Sequence, residues 1–328
     1  MARDAASRHQ PVMRDRCVTL LSPALDLPGA VAIDATLGMG GHAESLLQAC
    51  PHATVVGIDR DAQAIALASE RLQSFGDRFV AHHAEYDDVA GALALVGATH
   101  AQAVLMDLGV SSLQIDDADR GFSYAHDAPL DMRMNQEDSL TAADLLRDAS
   151  QAELTRILRE YGEERFAPRI AKAIVARRDS EPLVRSGALV ELVRTAIPAA
   201  ARAKGGNPAK RTFQALRIAV NQELEVLDRA IPGAIEATAV QGRMVVMAYH
   251  SLEDRMVKQA FAAGSTSSAP PGLPVVPADD EPYLRMLTRG AEKASPAEAE
   301  SNPRSQSVRL RAMERTRTTP ASRVRRAS

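Results

Sequence analysis

The stretch Asp34-Ala-Thr-Leu-Gly-Met-Gly-Gly-His42, directly after the apolar run 30–33, leaves this chain few folds to choose from. Apolar residues, an acid, then glycines opening a helical pattern read as a first strand, a tight turn and a helix N-terminus. Glycine is called for because such a turn uses backbone angles that side chains resist, and because a ligand must come close to the main chain. Gly38-x-Gly40-x-x-Ala43 fits the general dinucleotide fingerprint, so the glycines alone do not separate NAD from S-adenosylmethionine. Asp34 tips the choice. An acid at the strand end, four residues before the first glycine, repels a pyrophosphate but suits a ligand carrying an ammonium and a sulfonium.

At 328 residues and 45% apolar content, the chain is long enough for two domains, or for one domain carrying a large insertion. No apolar run approaches the ~20 residues of a membrane span, and residues 1–10 lack the apolar core of a secretory signal. Only Cys17 and Cys50 are present, without metal-ligand spacing. Neither a disulfide framework nor a zinc site is therefore expected, and a reducing cytoplasm fits. The net charge of −3 says little, but its distribution says more. Residues 304–328 hold eight Arg against one acid, Glu314, and residues 156–217 hold fourteen Lys or Arg against six acids. Two basic segments on a mildly acidic chain point to a localised polyanion contact. A solvated helix face and an unstructured tail would leave the same pattern.

In order, a short helix over 18–27 is expected at the sheet edge, then strand one over 30–35. The helix after Gly41 carries Ala43, Leu46, Leu47 and Cys50 at helical spacing until Pro51 stops it. Strand two, 54–59, ends in Asp59, eighteen residues after Gly41. That is close to the ~20 expected of an acid that hydrogen-bonds a ribose diol. A helix over 61–75, strand three over 78–84 and strand four over 103–109 follow. Strands alternating with helices predict an α/β, doubly wound parallel sheet with ligands at the carboxyl ends of its strands. Asp34, Asp59, Glu85 with Tyr86, and Asp107 all fall at such ends. Four carboxylates around one crevice call for a cationic or hydroxyl-rich ligand.

The next strand, 243–249, arrives about 130 residues later, far more than a crossover needs. The inserted unit reads as helical, with periodic segments at 140–146, 152–161, 166–178 and 189–197 broken by Pro182, Gly187, Pro198 and Gly205-Gly206. A single helix over 211–231 is expected to return to the sheet on Phe213, Leu216, Val220, Leu224, Leu227 and Ile231. Its other face, Gln214, Arg217 and Asn221, reads as a solvated stripe. After strand five, Ser251-x-x-Asp254 reads as a capping box. Residues 264–282 form a loop, and strands at 284–288 and 307–312 close the sheet edge as a hairpin-like pair. The division is a core of 1–111 and 209–316, a helical insertion at 112–208 between strands four and five, and a basic, disordered tail at 317–328.

Asp-Ala-Thr-Leu-Gly-Met-Gly-Gly-His (34–42), Gly-Ile-Asp-Arg-Asp (57–61) and Leu-Met-Asp-Leu-Gly-Val-Ser-Ser (105–112) occur in order, then Arg-Gly-Phe-Ser-Tyr (120–124) and Pro-Leu-Asp-Met-Arg-Met (129–134). Tyr-Gly-Glu-Glu-Arg-Phe (161–166), Arg-Thr-Phe-Gln-Ala-Leu-Arg-Ile (211–218), His-Ser-Leu-Glu-Asp-Arg (250–255) and Asn-Pro-Arg-Ser (302–305) complete the series. Together, over roughly residues 9–317, they resemble the bacterial ribosomal RNA small subunit methyltransferase H family. The resemblance implies a class I, Rossmann-like methyltransferase whose insertion recognises RNA. It also implies transfer of a methyl from S-adenosylmethionine to the 4-amino group of a cytidine in the decoding region of small-subunit ribosomal RNA. The assembled small subunit is the expected partner, no membrane is involved, and the oligomeric state is left open. Matched motif by motif, cofactor contacts fall on Gly40, Gly41, His42, Asp59, Tyr86, Asp107 and Gln114. Tyr86 stands where that family commonly has Phe, and Leu113 where it usually has Pro before Gln114.

Many amino-group methyltransferases place Asp/Asn-Pro-Pro-aromatic after strand four, where this chain reads Asp107-Leu-Gly-Val. Asp107 then either accepts from the reacting amine or holds the cofactor, the second being favoured here. Phe122 or Tyr124 is the candidate for the missing platform on which a flipped base would stack; packing beneath the insertion is the other reading of these rings. His250 is placed to orient the base or relay a proton, and Ser251 reads as a helix cap. The rival functions are an NAD-dependent oxidoreductase and a non-catalytic ribosome-assembly factor that keeps the fold.

Overall fold

A computed structural model describes residues 10–202, 207–270, 272–273 and 275–324. Strands β1 (Val31–Asp34), β2 (Thr54–Asp59), β3 (Phe79–His83), β4 (Ala101–Asp107) and β5 (Thr238–Ala248) run parallel, joined by β6 (Leu284–Met286) and β7 (Arg309–Arg315). The order is β3-β2-β1-β4-β5-β7-β6, with β7 antiparallel between β5 and β6. All four residues of β1 are buried, as the continuous apolar run of a strand covered on both faces requires. Strand order reverses between β1 and β4, so the carboxyl ends of those two strands flank the crevice where open α/β sheets bind ligands.

Helices cover both faces. On one, α1 (Arg14–Leu25) sets Cys17, Leu20, Leu21 and Leu25 against Ala103, Leu105, Val245 and Met247. It therefore covers the central strands β4 and β5 and not the sheet edge expected from sequence. Next to it lie α2 (Gly41–Ala49) and α3 (Ala62–Leu72). The opposite face receives α4 (Val89–Leu95), whose run of Ala, Gly, Leu and Val has no polar face to betray it and whose start is marked only by the Asp88 cap.

A second compact unit spans Val110–Glu223. It contains α5 (Ser112–Asp116), α6 (Ala142–Asp148), α7 (Gln151–Glu160), α8 (Ala167–Arg178), α9 (Ser186–Ala196), the single turn α10 (Ala199–Arg202) and α11 (Lys210–Asn221). Its core joins Leu146, Leu154, Ile170, Leu189, Phe213 and Leu216. The expected single helix over 211–231 is in fact two. Gln222 adopts a left-handed conformation (φ 50°) between α11 and α12 (Glu223–Ala237), so Phe213, Leu216 and Val220 pack in the helical unit while Leu227 and Ile231 pack on the sheet. The insertion thus ends at Glu223, later than the expected 208.

The stripe Gln214-Arg217-Asn221 is not solvated either. Asn221 is 1% exposed; its side chain donates to Met132 O and accepts from Met134 N, both at 2.7 Å. Arg217 makes a bidentate pair with Glu223 at 2.8 and 2.9 Å. Arg120 donates to the carbonyls of Arg133 and Met134. A Cβ on Gly121 would lie 2.2 Å from Pro129 O. The motifs at 120–124 and 129–134 are accordingly one folded loop clasped to α11.

Beyond β5 come α13 (Ser251–Ser265), α14 (Pro296–Ser301) and α15 (Ala321–Val324). The described part of the tail is built in and not disordered. Arg315 is buried and donates to the carbonyls of Glu236 (2.6 Å) and Thr238 (2.7 Å). Arg317 pairs with Glu281, and Arg323 sits over the Tyr283 ring. Burial alone would raise the Asp254 carboxyl, but Arg311 and Arg309 outweigh it and hold it below the usual range. Much of this basic segment therefore neutralises the protein's own acids and carbonyls. Residues 1–9, Gly205-Gly206 and 325–328, which entered the sequence reading, lie outside the described residues.

Candidate active site

The glycine turn forms where expected. Gly38 (φ 52°) and Gly40 (φ 77°) both take left-handed angles, and Gly40 is the cap from which α2 starts. A Cβ on Gly40 would press on Leu72 and Ala68 at 3.1 and 3.2 Å, whereas one on Gly38 would meet nothing within 4 Å. Gly41, assigned to the cofactor from sequence, has a nearer reason to be glycine: a Cβ there would lie 2.5 Å from Pro11. The segment carrying Pro11 is tied down in turn by the Glu298 carboxylate, which accepts from Met13 N at 2.6 Å.

Three of the four expected carboxylates end adjacent strands: Asp34 on β1, Asp59 on β2 and Asp107 on β4. The fourth does not join them. Glu85 lies two residues past β3 and is neutralised by Arg60 at 2.9 Å and Arg229 at 3.3 Å. Tyr86 packs partly buried beside the sheet core. Asp59 accepts from Gly38 N at 2.7 Å and Asp61 N at 2.9 Å, fixing the turn to the end of β2. Asp34 is buried; its Oδ1 accepts only a long bond from Thr36 N (3.4 Å), and its Oδ2 has no partner among the described residues. Desolvation pushes both carboxyls up to about 6. At Asp34, the charges of Asp107 and Asp59 add to the rise and His42 opposes it.

Asp107 is held from several sides. Its N–H donates to Thr36 Oγ1 at 2.6 Å, its Oδ1 accepts from the Tyr249 hydroxyl at 2.7 Å, and its Oδ2 lies 3.6 Å from His42 Nε2. That imidazole nitrogen is buried without a hydrogen-bond partner among the described residues. Burial raises the Tyr249 phenol well above its ordinary pKa, so it stays protonated and donates. Sequence reasoning missed Thr36 and Tyr249. Thr36 lay inside the quoted motif, and Tyr249 stands at the carboxyl end of strand five, the one signal that marked it.

The remaining candidates are distributed differently. His250, and not Ser251, caps α13: its Nδ1 accepts from Glu253 N at 3.4 Å, and Glu253 returns a bond to His250 N. Ser251 is one residue too late to cap and begins the helix. His250 Nε2 lies 3.1 Å from Glu253 Oε1. Gln114, Phe122 and Tyr124 belong to the helical unit. Gln114 forms a capping box with Ser111 at the start of α5. Phe122 and Tyr124 rest half-buried on the helical core, Tyr124 edge-on to Phe213 at 5.7 Å between centroids. Each ring is thus partly packed and partly exposed.

A parallel sheet of this order with an antiparallel β7, a glycine turn after β1 and acids ending β1, β2 and β4 defines a class I, Rossmann-like methyltransferase fold with a helical insertion between β4 and β5. The sequence narrows this further. The profile of the MraW methylase family matches residues 6–316, and the chain belongs to that family. The ribosomal RNA small subunit methyltransferase H of Beutenbergia cavernae is 63% identical over 316 residues, covering 96% of this chain and 95% of that protein. Its namesake from a Nocardioides species is 60% identical over 308 residues, covering 94% and 97%.

Proposed function

We propose that the protein transfers a methyl group from S-adenosylmethionine to the exocyclic 4-amino group of a cytidine in the decoding region of small-subunit ribosomal RNA, within the assembled subunit. One observation carries the cofactor: Asp34 Oδ2 and His42 Nε2, buried beside a glycine turn, have no hydrogen-bond partner among the described residues. Orphaned buried polar atoms are costly, and a ligand with an ammonium and hydroxyls would relieve them. The family and the names of its relatives support the reaction class, and the ordered motifs support the cytidine amine.

Gly40, Gly41, His42, Asp59, Tyr86, Asp107 and Gln114 are the residues assigned to the donor. When bound, it supplies an electrophilic methyl on a sulfonium. The protein must do the rest. A cytosine amine is a weak nucleophile, because its lone pair is delocalised into the ring. The site therefore has to hold that nitrogen in line, accept its N–H bonds as positive charge develops, and keep water out. Asp107, fixed by Thr36 and Tyr249, is the carboxylate nearest this task, and its main role is taken to be holding the donor. Phe122 or Tyr124 supplies the stacking platform, and His250 orients the base or relays a proton. Calorimetry should show binding of S-adenosylmethionine and none of NAD; the reverse would make the protein an oxidoreductase. Phe122→Ala should cut methyl transfer while donor affinity stays near wild type, and unchanged turnover removes Phe122 from the mechanism.

A further inference from the structure

Two motifs that the donor site does not use meet in the helical unit: 161–166, between α7 and α8, and 211–218 on α11. Arg211 donates to Glu163 O at 3.0 Å and Gln214 to Tyr161 O at 2.9 Å. A Cβ on Gly162 would lie 2.7 Å from Arg211 O, so the loop sits hard against α11. Glu164 is buried and its carboxylate accepts from Phe166 N at 2.8 Å. The loop is thus fixed on several sides, yet the Arg165 side chain it carries is exposed, lying over the Phe166 ring at 4.5 Å. Beyond that ring, the guanidinium meets no acid among the described residues.

Arg169 lies four residues on and Lys172 three beyond it, both exposed and on the same face of α8. None of the three forms an ion pair among the described residues. Arg156 pairs with Glu160, the half-buried Arg177 with Glu181 and Arg185 with Asp127, whereas Arg165, Arg169 and Lys172 line up along one face, paired with no acid among the described residues. The first turn of α8 contains no acid. Like charges at these spacings repel each other, so the stripe destabilises the isolated helix. A rigidly mounted, uncompensated row of cations is complementary to a polyanion, and guanidinium groups match phosphate oxygens bidentately.

We infer that Arg165, Arg169 and Lys172 form a docking stripe for the sugar-phosphate backbone of the RNA substrate, an inference that rests on reading the protein as an RNA methyltransferase. Contacts of this kind supply affinity and register and leave the choice of base to the active site. The test is a triple Arg165→Gln, Arg169→Gln, Lys172→Gln variant. Its affinity for naked small-subunit ribosomal RNA and for assembled small subunits is measured over a range of salt concentrations. Removing three phosphate contacts should weaken binding to both and flatten the log K against log salt slope by about 2, at roughly 0.7 per contact. Calorimetric S-adenosylmethionine binding should be unchanged, which also confirms folding. A control triple at the paired Arg156, Arg177 and Arg185 should flatten the slope less. An unchanged slope, or loss of affinity for subunits but not for naked RNA, overturns the stripe; the second result would assign it to an acidic ribosomal protein. A wild-type protein that binds RNA through these residues but transfers no methyl supports the stripe and refutes the enzyme reading instead.

Discussion

Burial raises the carboxyls of Asp34 and Asp59 to about 6, and the sign of that shift has two consequences. A folded-state pKa above the unfolded value near 4 means that folding takes up protons. These two residues therefore favour the fold below about pH 4 and progressively oppose it as pH rises through 6. A cationic ligand experiences the opposite trend, because it needs the ionised forms. S-adenosylmethionine affinity, followed by calorimetry, should rise about tenfold between pH 5 and 7 for each carboxylate that must ionise, about a hundredfold for both; a flat profile would remove these acids from the donor site. Asp34→Asn should weaken donor binding at pH 7.5 by about tenfold or more and stabilise the unliganded protein by about 1–2 kcal/mol, read from denaturant unfolding. His42, Asp59 and Asp107 were legible in the sequence because each stands at a strand end or in the glycine turn. Thr36 and Tyr249 were not, because their partner Asp107 comes from a different strand. Glu85 was misjudged because nothing in a linear pattern shows that Arg60 and Arg229 cover it.

At the scale of elements, the caps decide several questions. His250 starts α13 by accepting from Glu253 N, a job that Asn does equally well. If capping is its whole role, His250→Asn should keep stability and turnover while His250→Ala loses about 1 kcal/mol. If the imidazole also handles the base, His250→Asn should fold normally yet lose turnover, the outcome expected here; single-turnover kinetics separates the two. The left-handed Gln222 is a second such point. Gln222→Gly should stabilise the protein by up to about 1 kcal/mol, measured by chemical denaturation, and a loss of stability would mean that the side chain is needed. No glycine marks this junction, which is why α11 and α12 read as one helix. The helices α7 and α8 were legible because their apolar stripes are clean. The early part of β5 was not, because Ala-Val-Gln-Gly carries no strand signal and its pairing with β4 slips near Ala101.

Over the whole molecule, the sequence declared its architecture through one long interval. Strand-like segments stop at β4 and resume at β5, so the sheet and the insertion were both readable. What could not be read was where charge goes. Among the described residues, most arginines of the C-terminal basic segment engage Asp254, Glu281 or backbone carbonyls, while Arg165, Arg169 and Lys172, at the start of α8, meet no acid. The most direct test of the assignment is incubation of the purified protein with methyl-labelled S-adenosylmethionine and small subunits from cells lacking it, followed by digestion and mass mapping of the RNA. The expected result is label on the 4-amino group of one decoding-region cytidine. Label on a ribose, a ring carbon or another base, or no label despite measurable donor binding, would contradict it.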